Sequence, residues 1–337
     1  KKKRQRLVAI GSVAVALCVI AVGAWQITKA QQAREAAAQQ AAEQQRNEAV
    51  LEQEQRVDDT GHMTIIKQDG RVWSGGENRF GQIGNGTKQE TIMPVQISTD
   101  AALISLGQAH TAMLLTDGSV WTWGDNSFGQ LGNNSMSNSS SPVRVLEEAD
   151  SVSAGAFHTA AVGTDGTLYV WGTDTDRLRS GGEAYITPTA VMENVKQAAA
   201  GRYFTVVLKT DGTVWTWGSN ENGQLGDGTQ EARENPVQVF DHVAQICAGK
   251  AHVLAIREDG TVWAWGAGEQ GQLGTGNTDD QLRPVKVADS VAAIAAAGNQ
   301  SALIRSDGVL MVWGNGISLP EKKMEGAAQI ALTAHIG

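Results

Sequence analysis

Four histidines, His62, His110, His158 and His252, each stand seven residues before an aspartate, at Asp69, Asp117, Asp165 and Asp259. Imidazole and carboxylate are common ligands of zinc, so a ring of such pairs is the first chemistry to weigh. Its regularity argues against it, because equivalent positions of a repeat are spread around an axis and serve the repeat first. The loop Gly-Gln-Leu-Gly-Asp-Gly-Thr at 223–229 has the glycines of a phosphate cradle. It lacks the Lys-Ser/Thr pair and opens no helix, so its glycines read as a turn at a corner. Asp174, Thr175 and Asp176, followed by Glu183, hint at calcium, but the glycine and the third acidic ligand are missing. His242 and His335 stand outside the register and carry no partner motif. No Ser-His-Asp, paired-carboxylate or Cys-His arrangement stands out. Cys18 and Cys247 are the two cysteines, and they form neither a C-x-x-C pair nor a disulfide framework. The residues therefore predict no metal, no cofactor and no enzyme.

What positions these groups is a repeat. Asp-Gly recurs at Asp69, Asp117, Asp165, Asp211, Asp259 and Asp307, with spacings of 48, 48, 46, 48 and 48 residues. A period in that range means stacked copies of one supersecondary unit that cannot bury its apolar faces alone. In one copy, Asp211-Gly212 supplies the positive φ of a tight hairpin. Val214-Trp215-Thr216-Trp217-Gly218 follows as a strand with bulk on both faces, and Thr205–Leu208 before the turn has the same character. A polar, glycine-punctuated loop leads to Pro236-Val237-Gln238-Val239, an edge-like strand where proline is tolerated. All six prolines (94, 142, 188, 236, 284 and 320) occupy that one repeat position. Each lies ten residues before an inner-strand residue: Ile104, Val152, Ala198, Ile246, Ile294 or Ile330. Four short strands per unit describe a blade of an all-β propeller. The fragments 61–66 and 327–332 complete one another, so six blades closed by pairing of the chain ends are expected, with seven as the alternative.

Two signals, Asp-Gly-x-Val-Trp-x-Trp-Gly and Gly-x-Asn-x-x-Gly-Gln-Leu-Gly, carry a resemblance to the regulator of chromosome condensation repeat. Gly124–Gly132 and Gly218–Gly226 match closely; Gly76–Gly84 has Ile83 for Leu, and Gly266–Gly274 has Gly268 where Asn is usual. The resemblance covers residues 61–337 and implies a propeller. From its namesake it also implies guanine nucleotide exchange on a small GTPase, and from its β-lactamase-inhibiting members inhibition of an extracellular enzyme. Exchange needs an inserted wedge, for which a spacing of 46–48 residues leaves no room.

The N-terminal part is different. Residues 1–6 are basic apart from Gln5, and 7–27 form an uncharged, largely apolar span of 21 residues. As a helix that span is about 30 Å long, the thickness of a bilayer core. Basic residues at its start predict a cytoplasmic N-terminus and an extracytoplasmic domain. The alternative is a signal sequence cleaved near Val22-Gly23-Ala24, giving a secreted protein. Residues 28–57, rich in Ala, Gln and Glu, predict a helical stalk, and the propeller is expected over 58–337.

Residues 1–56 hold 9 Lys/Arg and 5 Asp/Glu, so the remainder, with 18 against 31, carries −13. An acidic domain repels phosphate backbones and excludes nucleic acid as a partner. The expected function is a binding scaffold for a protein or a cell-surface polymer, using its loop face. The third copy has lost the Gly-Gln-Leu-Gly loop, and the sixth has lost twelve residues of it. The charged replacement in the third copy gives the candidate contacts Asp174, Asp176, Arg177, Arg179 and Tyr185.

Overall fold

The computed structural model describes residues 61–67, 70–173 and 184–327. The anchor expected at 7–27, the stalk at 28–57 and the closing strand around Ile330 lie outside these residues. Among the described residues no helix is long and apolar enough to cross a membrane.

Six antiparallel sheets follow one another in chain order. The first is β1 (His62–Ile66), β2 (Val72–Gly76) and β3 (Thr91–Ser98). The second is β4 (Ala101–Leu106), β5 (His110–Leu115), β6 (Val120–Gly124) and β7 (Ser139–Leu146). The third is β8 (Ala149–Ala154), β9 (His158–Gly163), β10 (Leu168–Gly172) and β11 (Tyr185–Met192). The fourth is β12 (Val195–Ala200), β13 (Phe204–Lys209), β14 (Val214–Gly218) and β15 (Arg233–Phe240). The fifth is β16 (Val243–Ala248), β17 (His252–Arg257), β18 (Val262–Gly266) and β19 (Gln281–Ala288). The sixth is β20 (Val291–Ala297), β21 (Gln300–Arg305), β22 (Leu310–Gly314) and β23 (Ile317–Met324). This is the six-bladed, all-β propeller that the repeat predicts. The first sheet has three described strands where the others have four.

The Asp-Gly hairpins form as their chemistry dictates. Asp117 accepts hydrogen bonds from the Ser119 hydroxyl and amide, and Asp211 and Asp259 do the same with Thr213 and Thr261. These bonds hold all three carboxyls below their ordinary range. The same hydroxyls accept the indole N–H of Trp121, Trp215 and Trp263, tying each turn to its strand. Innermost strands β4, β8, β12, β16 and β20 line an axial cavity of about 330 Å³ with small residues, mostly Ala and Ser, together with Leu, Ile, Val, Cys247 and Gln197. Side chains link them across blades: Ser105 Oγ accepts Ala154 N–H, Ser153 Oγ accepts Ala200 N–H, and the Gln197 amide pairs with both backbone groups of Ile246.

Between blades the Gly-Gln-Leu-Gly loop is the fastener. The Gln82 carbonyl accepts both the Thr111 hydroxyl (3.0 Å) and the Trp123 indole N–H (2.8 Å) of the next blade. The Gln272 carbonyl does the same with Ser301 (2.7 Å) and Trp313 (2.8 Å). The glycine that ends each loop lies against the same indole. A Cβ on Gly84, Gly132, Gly226 or Gly274 would come within 2.6–2.9 Å of Trp123, Trp171, Trp265 or Trp313. Those four Trp side chains are fully buried.

Gly226→Ala adds a methyl 2.8 Å from Trp265 at a φ of +75°, and should destabilise the domain by about 3 kcal/mol or more. Gly260→Ala has the same backbone strain (φ +78°) with nothing nearer than 3.9 Å, and should cost only about 1–2 kcal/mol. Urea unfolding of the two variants measures the difference; equal losses would mean the seam is not tightly packed.

Candidate functional site

Each register histidine opens the second strand of its blade and reaches across to the next one. Nε2 of His62, His110, His158 and His252 lies 3.1, 2.9, 3.0 and 2.8 Å from the hydroxyls of Thr111, Thr159, Thr205 and Ser301. Three of these hydroxyls spend their proton on a loop carbonyl, of Gln82, Gln130 or Gln272. Each must therefore accept from the ring, which assigns the proton to Nε2. The rings rest on glycine: a Cβ on Gly107, Gly155 or Gly249 would fall 2.2–2.4 Å from His110, His158 or His252. The imidazoles are thus seam elements, and no group of three or more His, Cys, Asp or Glu able to hold a metal occurs among the described residues. Burial lowers His110 to about 3 and His158 and His252 to about 4. Cys247 is unpaired and lines the axial cavity, its thiol pushed up by burial.

The loops on one face are organised by a buried amide. Asn126 Oδ1 accepts Leu131 N–H, and its Nδ2 donates to Asn133 Oδ1, Ser135 O and Ser137 O. Asn78 and Asn220 repeat the pattern. In the fifth copy the chain closes over the missing amide, where a Cβ on Gly268 would sit 2.2 Å from the Asp279 carbonyl. Asp125, buried beside Asn126, has its carboxyl raised by burial and accepts from Ser127 Oγ and Gln130 Nε2. It supports the loop.

On the same face, side chains from three copies meet. The rings of Phe128 and Phe157 are 4.7 Å apart, those of Phe157 and Tyr203 5.7 Å, and the Arg202 guanidinium lies 5.0 Å from the Tyr203 ring. The Phe157 and Tyr203 positions are Ala109, Ala251 and Asn299 in other copies. That departure was the available signal, and sequence reasoning passed over it because the three residues come together only in the ring. Thr173 N–H bonds to the Phe157 carbonyl at 2.8 Å, so the 174–183 segment leaves the described chain beside this cluster. Asp174, Asp176, Arg177 and Arg179 lie outside the described residues. Tyr185 begins β11, pairs with Gly172 and packs, half-buried, on the apolar cluster around Trp171.

Profiles of the regulator of chromosome condensation (RCC1) repeat match residues 69–114, 117–162, 211–256 and 259–304, and a second profile of the same repeat matches 102–130, 149–176, 195–224 and 243–272. No curated protein matches the chain in sequence. Among solved structures it is similar to Prp20p from Saccharomyces cerevisiae, studied for binding to Gsp1p and histones, at 22% identity and TM-score 0.66, over 77% of this chain and 76% of that one. Yeast Prp20 bound to Kap60 aligns at 22% and TM-score 0.65 over 80% and 75%. Human WBSCR16 aligns at 24% and 0.61 over 70% and 67%. At these identities the likeness shows the fold alone.

The histidines make acid stability a test of the seam. Folding holds the three rings below the free value of 6.5, so the unfolded chain takes up protons first as pH falls. Stability is full above pH ~6.5 and is lost toward the folded values, by up to about 1.4 kcal/mol per pH unit for each ring. His110→Gln, which reproduces the Gln300 found at the same position of the sixth copy, should flatten that slope by one proton. Urea midpoints measured across this range check it; an unchanged slope would place His110 outside the seam.

Proposed function

The chain belongs to the regulator of chromosome condensation (RCC1) repeat family, and from that premise we propose that it is a membrane-anchored, extracytoplasmic binding scaffold. Its partner is a protein or a cell-surface polymer held on the loop face. The observation that carries this reading is the half-buried Phe128, Tyr203 and Arg202, held together over the buried Phe157 ring, next to the point where the 174–183 segment departs. Aromatic and guanidinium groups on one rigid rim are the groups that dominate protein interfaces. In sequence, Asp174, Asp176, Arg177 and Arg179 follow directly on Thr173 and carry charges of both signs, the residue types of a polar interface rim. Anchoring rests on the basic residues at 1–6 and the apolar span 7–27; cleavage near Val22-Gly23-Ala24 would release the same scaffold. The nucleotide-exchange reading is the less favoured, because the long loops of the first, second, fourth and fifth copies are each bonded down to the following blade, which removes them as wedges. What Prp20p does with Gsp1p is therefore not transferred to this chain.

Replacing Asp174, Asp176, Arg177, Arg179 and Arg202 together by alanine should reduce recovery of the bound partner from intact cells about tenfold or more, with the thermal midpoint unchanged. Undiminished recovery would exclude this face. Protease added outside intact cells should degrade the propeller while sparing cytoplasmic markers; survival of the propeller under those conditions would place it on the other side of the membrane.

A further inference from the structure

In four of the six blades the outer strand is covered by the loop of the preceding copy. Gly86, Asn134, Gly228 and Gly276 donate backbone N–H to the carbonyls of Ser140, Ile186, Leu282 and Ser318 at 2.7–2.9 Å. These four acceptors hold one repeat position, two residues before the outer-strand proline, and all four are half-buried. The same position is exposed in two blades, at Ile92 in the first and Glu234 in the fourth. Those are the blades that follow the sixth and third copies, the two whose Gly-Gln-Leu-Gly loop is gone. In the sixth copy a two-residue Asn315-Gly316 turn, with φ of +50° and +93°, joins β22 to β23 directly. Its Gly316 N–H goes to Gln270 of the preceding loop, and among the described residues no loop amide reaches the Ile92 carbonyl as Gly86, Asn134, Gly228 and Gly276 reach its equivalents.

The fourth blade answers exposure with a charge, Glu234. The first does not: Ile92 is 93% exposed and Met93 77%. The rest of its seam has changed in concert. Gly75 stands where the other blades have the buried Trp, and Met63, 51% exposed, where the second, third and sixth have Thr111, Thr159 and Ser301. Every donor that would hold an intramolecular loop carbonyl has been removed, and apolar surface left in its place. Side-by-side Ile and Met at such exposure is the composition of an interface centre.

We propose that this open seam of the first blade is a docking seat for a partner protein that presents a glycine-bearing turn with one bulky apolar side chain. The seat holds the repeat position that the preceding copy's loop covers on the second, third, fifth and sixth blades, and those loops define what it takes. Each supplies a main-chain N–H to the outer-strand carbonyl and places a fully buried Ile83, Leu131, Leu225 or Leu273 between blades. The chain closes over Gly75, where a Cβ would lie 3.2 Å from Pro94 Cα, so the apolar contact falls on the exposed Ile92 and Met93. A net charge of −13 beyond residue 56 turns away polyanions.

The test is site-specific photocrosslinking in cells making the full chain, with Met93 replaced by benzoylphenylalanine. The expected result is one dominant crosslinked protein, joined through a peptide carrying a glycine turn and a large apolar residue. Ile92→Glu should lower that yield at least about tenfold with the unfolding midpoint unchanged. A crosslinker at Glu234 should give no such product. Crosslinks that map to a second copy, to this chain's own residues 328–337, to lipid, or to many proteins without preference would overturn the proposal, as would an absence of crosslinks or a yield indifferent to Ile92→Glu.

Discussion

A blade of four short strands with apolar residues on both faces cannot stand alone, so the structure depends on how one blade is fastened to the next. The fastener is a loop carbonyl. That of Gln82 or Gln272 takes an indole proton and a hydroxyl proton from the following blade, and the hydroxyl in turn accepts from a histidine of the loop's own blade. All these groups are buried, and none can be left unpaired without a cost of about 1–3 kcal/mol. The glycines follow from the same contact, because only a bare backbone lets the loop lie on the indole. Packing, hydrogen bonding and backbone conformation therefore impose one register at the Gln82 and Gln272 seams, and the Gln130 and Gln224 seams each keep one of the two bonds.

The departures acquire meaning against that constraint. Loss of the sixth loop, of the first blade's inner Trp and of its seam hydroxyl are changes to one contact, although they lie at opposite ends of the domain. Where the third loop has changed, Trp217 keeps 8% exposure while four equivalent Trp residues have none, and a glutamate faces water. The face that carries the aromatic row is the one from which the loops spring, so fastening and recognition share the same segments. A loop bonded to its neighbour makes a rigid rim, and a rigid rim loses little entropy on binding.

Much of this architecture was legible in the sequence because its causes are local. Asp-Gly needs only its own turn and the residue two positions on, and Pro94 and its equivalents mark an edge whatever lies beyond. The histidines were legible as a register and illegible as a contact, since His62 meets Thr111 49 residues away. The role of Asn126 was visible only as a motif letter, because its three acceptors are backbone and side-chain oxygens that the folded loop brings round it. Phe128, Phe157 and Tyr203 were missed for the same reason, coming from three copies whose spacing carries no hint of their meeting. Gly75 stood in plain view after Val72-Trp73-Ser74. Its connection to the missing loop of the sixth copy required knowing that the ring makes those copies neighbours.

Native-state hydrogen exchange at the amides of Ile83, Leu131 and Leu225, each bound to a buried Asn side chain, measures most directly whether the loops belong to the cooperative core. If they fasten the blades, these amides exchange only through global unfolding, with the same free energy as the central strands. Exchange through local opening, several kcal/mol below the strands, would show that the blades hold together without them and would contradict the account.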